Sequence, residues 1–127
     1  VEAVPVERMR AQFETNVWGP MRLAQLVLPG MRRQRWGKLV NVSSMGGRLV
    51  FPGGGVYHAS KYALEALSDA LRFEVRGFGV DVVLVEPGLI RTSFSEAAVA
   101  SIAPPKSETS ATYAAFHEAV ARATKES

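Results

Sequence analysis

No cysteine occurs anywhere in the chain, which excludes disulfides and cysteine-built zinc or iron–sulfur centres and leaves thiols silent about compartment. Histidine is nearly as scarce. His58 and His117 are the only two, too few for a histidine metal cluster. Long apolar runs are missing as well: Arg22, Gln25 and Arg32 interrupt the longest one, which falls short of the roughly 18 apolar residues that cross a bilayer. No secretory-signal pattern opens the sequence, so a cytoplasmic protein with no membrane span is the default expectation. Charge of one sign is also modest. The net charge is +3, and its main source is "MRRQRWGK", residues 31–38. Cations in the last turn of a helix complement the helix dipole, so that run needs no nucleic-acid partner and none is expected.

What remains is an ordinary globular composition, 47% hydrophobic and 21% charged over 127 residues, enough for one domain with a small core. The sequence opens on Val1 and drops at once into a helical pattern, as expected of a piece of something longer. From Val6 to Arg33, apolar residues at Phe13, Val17, Met21, Ala24, Leu28 and Met31 step by three or four, a helical stripe. Pro20 and Pro29 fall inside it and predict bends or breaks. Gly37 closes that segment, and "KLVNV", residues 38–42, has strand length. The glycine-dense stretch from Ser43 to Val56 predicts a loop. A second helix is predicted from Tyr57 to Arg76, with Gly77 as the left-handed residue beyond its end. Ala59, Ala63, Ala66 and Ala70 form a small-residue stripe along it, where another helix could approach closely. "VDVVLVE", residues 80–86, reads as a strand buried on both faces of a parallel sheet, ended by Pro87-Gly88. Residues 96–127 read as a lid-like segment with a break at Pro104-Pro105 and a last helix from Ser110 to Lys125. Strand, crossover helix and strand make one βαβ unit.

The chemistry concentrates between the two strands. Tyr57 and Lys61 are four apart and share a face of their helix, at its positive N-terminal end. An ammonium and a helix dipole close to a phenol favour the phenolate and bring tyrosine within range of acid–base work. Ser43 and Ser44 end the preceding strand, at the carboxyl edge where parallel sheets bind ligands. Taken singly, each feature has an ordinary structural reading: a chance spacing, loop-forming serines, a flexible glycine turn.

Together, "NVSSMGG", a thirteen-residue step from Ser44 to Tyr57, "YHASK" and "VEPGLIRTSF" resemble the short-chain dehydrogenase/reductase family in order and distance. The resemblance covers residues 8–95. It implies an α/β fold of Rossmann type, a doubly wound parallel sheet, of which residues 1–127 are one partial catalytic region with the core in residues 1–95. It also implies a tetrad. Tyr57 is the acid/base, and Lys61 tunes it and binds the nicotinamide ribose. Ser44 orients the substrate oxygen, and Asn16, in "FETNVWGPM", holds a water of the proton relay. Pro87, Gly88, Ile90 and Thr92 would meet the nicotinamide of NAD or NADP. The implied substrate is a small carbonyl or alcohol. Leu49, Val50 and Phe51 favour an apolar one, of steroid, retinoid or fatty-acyl type. The helices 6–33 and 57–76 would form a homo-oligomer.

The pattern is incomplete. The glycine-rich turn that cradles the pyrophosphate and the Asn-Asn-Ala-Gly-type stretch of the adenine side do not occur in the chain, so the N-terminal dinucleotide-binding half is lacking. Only nicotinamide-end contacts are expected, with inactivity in isolation. Two other readings stay open: a sugar-nucleotide epimerase or dehydratase relative, and a catalytically silent fragment that dimerises through its helix faces.

Overall fold

The computed structural model describes residues 1–90, 92–102 and 108–126. Two strands, β1 (Gly37–Val42) and β2 (Val80–Val85), pair in parallel with Gly37 opposite Val80 and Val42 opposite Val85. The helix between them, α3 (Gly55–Val75), makes the crossover. An α1 helix (Val6–Phe13) and α2 (Gly19–Gln34) precede β1, and α4 (Phe94–Ile102), α5 (Glu108–Thr112) and α6 (Ala114–Glu126) follow β2. The fold is therefore α/β with a parallel sheet, as the sequence predicts.

The alternation of the strands decides where the core lies. Val80 and Val82 point inward and pack with Val75, and Leu28, Met31, Leu39 and Leu71 close around them. On this face α2 and α3 cover the sheet. The opposite face corrects the expectation that residues 80–86 form a strand buried on both faces: Val83 and Val85 are 40% and 43% exposed, and Val40 and Val42 beside them 57% and 59%. Continuous apolar character suits a strand with two covered faces, and in this chain helices cover one. Lys38 and Asp81, paired across the strands at 2.9 Å, flank the bare valines.

The first helical stretch breaks earlier than its prolines suggest. Glu14–Trp18 forms a π-helical turn between α1 and α2, with the Gly19 N–H donating to the Glu14 carbonyl. Pro20 has no N–H to give the Asn16 carbonyl, so the ladder widens just before it. Pro29, by contrast, lies inside α2, which continues to Gln34.

Glycine placement also differs. Gly37 is the first residue of β1 rather than the stop of α2, and Arg35 takes the left-handed conformation there at φ 58°. Past α3, a 3-10 turn (Arg76–Phe78) intervenes, and Gly79 at φ 76° is the left-handed residue, not Gly77. The Arg35 carbonyl lies so close that a Cβ at Gly79 would clash with it. The two left-handed residues thus lock the ends of α2 and the 3-10 turn together, with Arg35 Nη2 donating to the Gly77 carbonyl at 3.1 Å.

The loop after β1 is mostly irregular, but Met45–Gly47 forms a 3-10 turn and α3 begins at Gly55, two residues before Tyr57. The predicted last helix is divided into α5 and α6, and the Pro104-Pro105 break lies outside the described residues. Among the described residues, no helix is long and apolar enough to cross a membrane.

Candidate active site

The site forms where both strands release their chains. The Ser43 N–H still donates to the Val85 carbonyl at 2.8 Å. Ser44, extended at φ −163°, then opens the 3-10 turn and accepts the Gly46 N–H on its hydroxyl at 3.0 Å. Met45 N–H donates to the Pro87 carbonyl at 3.0 Å. The serine turn and the Pro-Gly segment therefore lie side by side at the carboxyl end of the sheet.

Tyr57, the third residue of α3, packs its ring against Phe94 of α4 at 5.7 Å and against His58 at 5.9 Å. Lys61 Nζ lies 5.8 Å from the centre of the Tyr57 ring, a cation facing a π system as the four-residue spacing predicts. The same ammonium donates to the Val42 carbonyl at 2.9 Å. That carbonyl shares a peptide with the Ser43 N–H, which is turned toward β2, so Lys61 caps the side of β1 that β2 leaves open. Burial pushes the Lys61 ammonium below its ordinary value, because a half-buried charge loses hydration.

Asn16 reaches the tyrosine indirectly. Its Nδ2 donates to Ser60 Oγ at 3.0 Å, and Ser60 Oγ donates to the Tyr57 carbonyl at 2.7 Å. Asn16 and Lys61 also line one open groove of about 580 Å³, which runs between α2 and the free edge of β1. Among the described residues, no hydrogen bond joins the Ser44, Tyr57 and Lys61 side chains to one another.

Beyond Pro87, Gly88 and Ile90 are exposed and Thr92 accepts the Phe94 N–H on its hydroxyl at 3.2 Å, which starts α4. Leu49, Val50 and Phe51 are exposed on the loop after Ser44, and α6 reaches that loop through Val120 at Gly53. Among the described residues, no cluster of metal-ligating side chains occurs.

Sequence reasoning missed three participants. Ser60 was legible only as a small residue in "YHASK", yet it joins Asn16 to Tyr57. His58 was counted only as a missing metal ligand. Glu65, one turn beyond Lys61, is buried with Ser43, and among the described residues neither carboxylate oxygen nor the Ser43 hydroxyl has a hydrogen-bond partner. Its neighbours one turn away on α3 are Lys61, Tyr62, Ser68 and Asp69, so no local pattern set this carboxylate apart.

Comparison with known proteins gives this arrangement its family. Residues 1–103 match the short chain dehydrogenase family, and the chain belongs to it. An uncharacterized oxidoreductase of Bacillus subtilis, YusZ, is 45% identical over 93 residues, covering 73% of this chain and 33% of that protein. The 3-ketodihydrosphingosine reductase of Bacteroides thetaiotaomicron is 42% identical over 96 residues, 76% of this chain and 36% of the relative. A short chain dehydrogenase from Burkholderia cenocepacia, solved in complex with NADP, has a TM-score of 0.70 at 30% identity, over 83% of this chain and 42% of that one. The chain thus spans about a third of the length of the curated relatives it matches.

Proposed function

We propose that this chain is the catalytic segment of an NAD(P)-dependent oxidoreductase that interconverts a carbonyl and an alcohol. The observation that carries the reading is the Tyr57–Lys61 pair at the start of α3, beside the Ser44 turn at the carboxyl end of the sheet.

The donor set suits the nicotinamide end of such a cofactor. The Lys61 ammonium spends one hydrogen on the Val42 carbonyl and has two left for hydroxyls such as those of a ribose. Pro87, Gly88, Ile90 and Thr92 stand at the end of β2, where a nicotinamide ring would lie. When bound, the cofactor supplies or accepts the hydride. The chain's part is protonic: the Tyr57 hydroxyl gives its proton to the substrate oxygen in reduction, and takes it back in oxidation. Lys61 sets its ammonium against the Tyr57 ring, and Ser44 holds the substrate oxygen. Asn16, through Ser60, steadies the first turn of α3 and lies in the groove from which the relay would be refilled.

Apolar substrates, of steroid, retinoid or fatty-acyl type, are favoured by the exposed Leu49, Val50 and Phe51. The reductase from Bacteroides thetaiotaomicron, by its name, acts on a keto group. Self-association through the 6–33 and 57–76 helices is supported by exposed Leu23, Leu26, Tyr62 and Leu67.

The decisive experiment uses the full-length protein and two variants. Tyr57→Phe keeps the ring contacts and removes the proton, so turnover should fall about a hundredfold or more with cofactor affinity nearly unchanged. Lys61→Ala should weaken both, because the lysine has two tasks. Equal, mild losses in the two variants would refute the assignment.

A further inference from the structure

The residue after the tyrosine does more than fill space. His58 is only 6% exposed, and both of its ring nitrogens engage the backbone of the loop that follows Ser44. Nδ1 lies 2.9 Å from the Gly46 carbonyl oxygen, and Nε2 accepts the Phe51 N–H at 3.1 Å. A backbone N–H can only donate, so Nε2 must be the unprotonated nitrogen. The proton then sits on Nδ1 and is donated to Gly46. One neutral tautomer satisfies both partners.

The loop is wrapped closely on this ring. A Cβ at Gly46 would lie 2.9 Å from Nδ1, and one at Gly54 would lie 3.1 Å from Nε2. The Phe51 ring packs on the imidazole at 5.8 Å, and Tyr57 meets it edge-on. Two consequences follow. First, Gly46 is also the residue whose N–H is held by Ser44 Oγ, so the imidazole ties the serine turn to the helix that carries the tyrosine. Second, the Phe51 N–H is held while Leu49, Val50 and Phe51 expose their side chains. A loop with this much glycine has many conformers, and the imidazole selects one of them.

We infer that His58 is a positioning residue that locks the 46–54 loop onto α3 and thereby fixes the apolar wall against which the substrate is held. The wall's task rests on the oxidoreductase reading; the lock does not.

The two parts are tested separately on the full-length protein. Nitrogen-15 spectra of the imidazole should show Nδ1 protonated and Nε2 bare at neutral pH, and the Phe51 amide should be protected from solvent exchange. His58→Phe keeps a ring and loses both hydrogen bonds. His58→Gln places an oxygen near the Nε2 position and can still accept from Phe51. Amide exchange at Phe51 should quicken roughly tenfold in His58→Phe, the loss expected for one hydrogen bond, and much less in His58→Gln. With an apolar ketone, KM should rise by a similar roughly tenfold factor in His58→Phe, while kcat stays within about threefold and His58→Gln recovers most of the loss. A protonated Nε2, or unchanged Phe51 exchange in His58→Phe, overturns the lock. A loss confined to kcat, with KM unmoved, overturns the substrate-wall role. If no carbonyl is turned over, the oxidoreductase reading fails and the wall with it, while the spectra and the exchange rates still decide the lock.

Discussion

Glu65 is 6% exposed and follows Lys61 by one helical turn. Its carboxyl is pushed above the ordinary 4.5, chiefly by burial. The nearby Glu86 carboxylate adds to the rise, while the Arg48 cation opposes it. The folded chain therefore holds this proton more tightly than the unfolded chain. Stability from the group is complete below about 4.5 and is lost as pH rises through the higher folded value. Glu65→Gln cannot ionise, so it should be more stable than the parent at pH 7. The advantage should vanish toward pH 4. Urea unfolding at both pH values checks this, and a parent more stable than the variant at pH 7 would contradict it.

At the scale of elements, the joint between α2, the 3-10 turn and β2 turns on one glycine. Gly79 combines φ 76° with a Cβ position blocked by the Arg35 carbonyl. Gly79→Ala should lower stability by about 2–3 kcal/mol, since both the backbone conformation and the close approach are lost. Gly77 has negative φ and open space where its Cβ would stand, so Gly77→Ala should change stability by less than about 1 kcal/mol. Thermal unfolding of the pair distinguishes the two positions, and a larger loss at Gly77 would restore it as the helix stop. The π-helical turn at Glu14–Trp18 belongs to the same scale: it turns Asn16 toward Ser60, and its cause is the missing N–H of Pro20.

For the molecule as a whole, two surfaces are unfinished. The edge of β1 opens onto the groove shared by Asn16 and Lys61, and the valines of one sheet face are exposed. Unpaired strand edges and bare apolar faces promote association. Dinucleotide affinity depends strongly on pyrophosphate contacts with backbone N–H groups at a helix N-terminus, and no glycine-rich turn of that kind occurs in the sequence. The 127-residue chain alone should therefore self-associate. It should also bind NADH and NADPH no tighter than the millimolar range, roughly −4 kcal/mol. Sedimentation and fluorescence titration read these two properties. Micromolar binding by a monomer would contradict both expectations.

The sequence by itself determined the features that depend on local spacing. Tyr57 and Lys61 share a face because four residues make about one turn, and β1 and β2 read as strands because short apolar runs are bounded by glycine and proline. Their parallel pairing follows from the helix between them. Local pattern could not say which glycine is left-handed, since what separates Gly79 from Gly77 is its positive φ and the Arg35 carbonyl beside it, and neither is written in the sequence. It could not show that β2 keeps one face bare, because an apolar strand looks the same whether or not something covers it. Tertiary structure alone brought Asn16 to Ser60 across 44 residues and folded the 46–54 loop around His58. Contacts between segments distant in the chain leave no period in the sequence, and the buried histidine and glutamate acquire their roles only from what is packed against them.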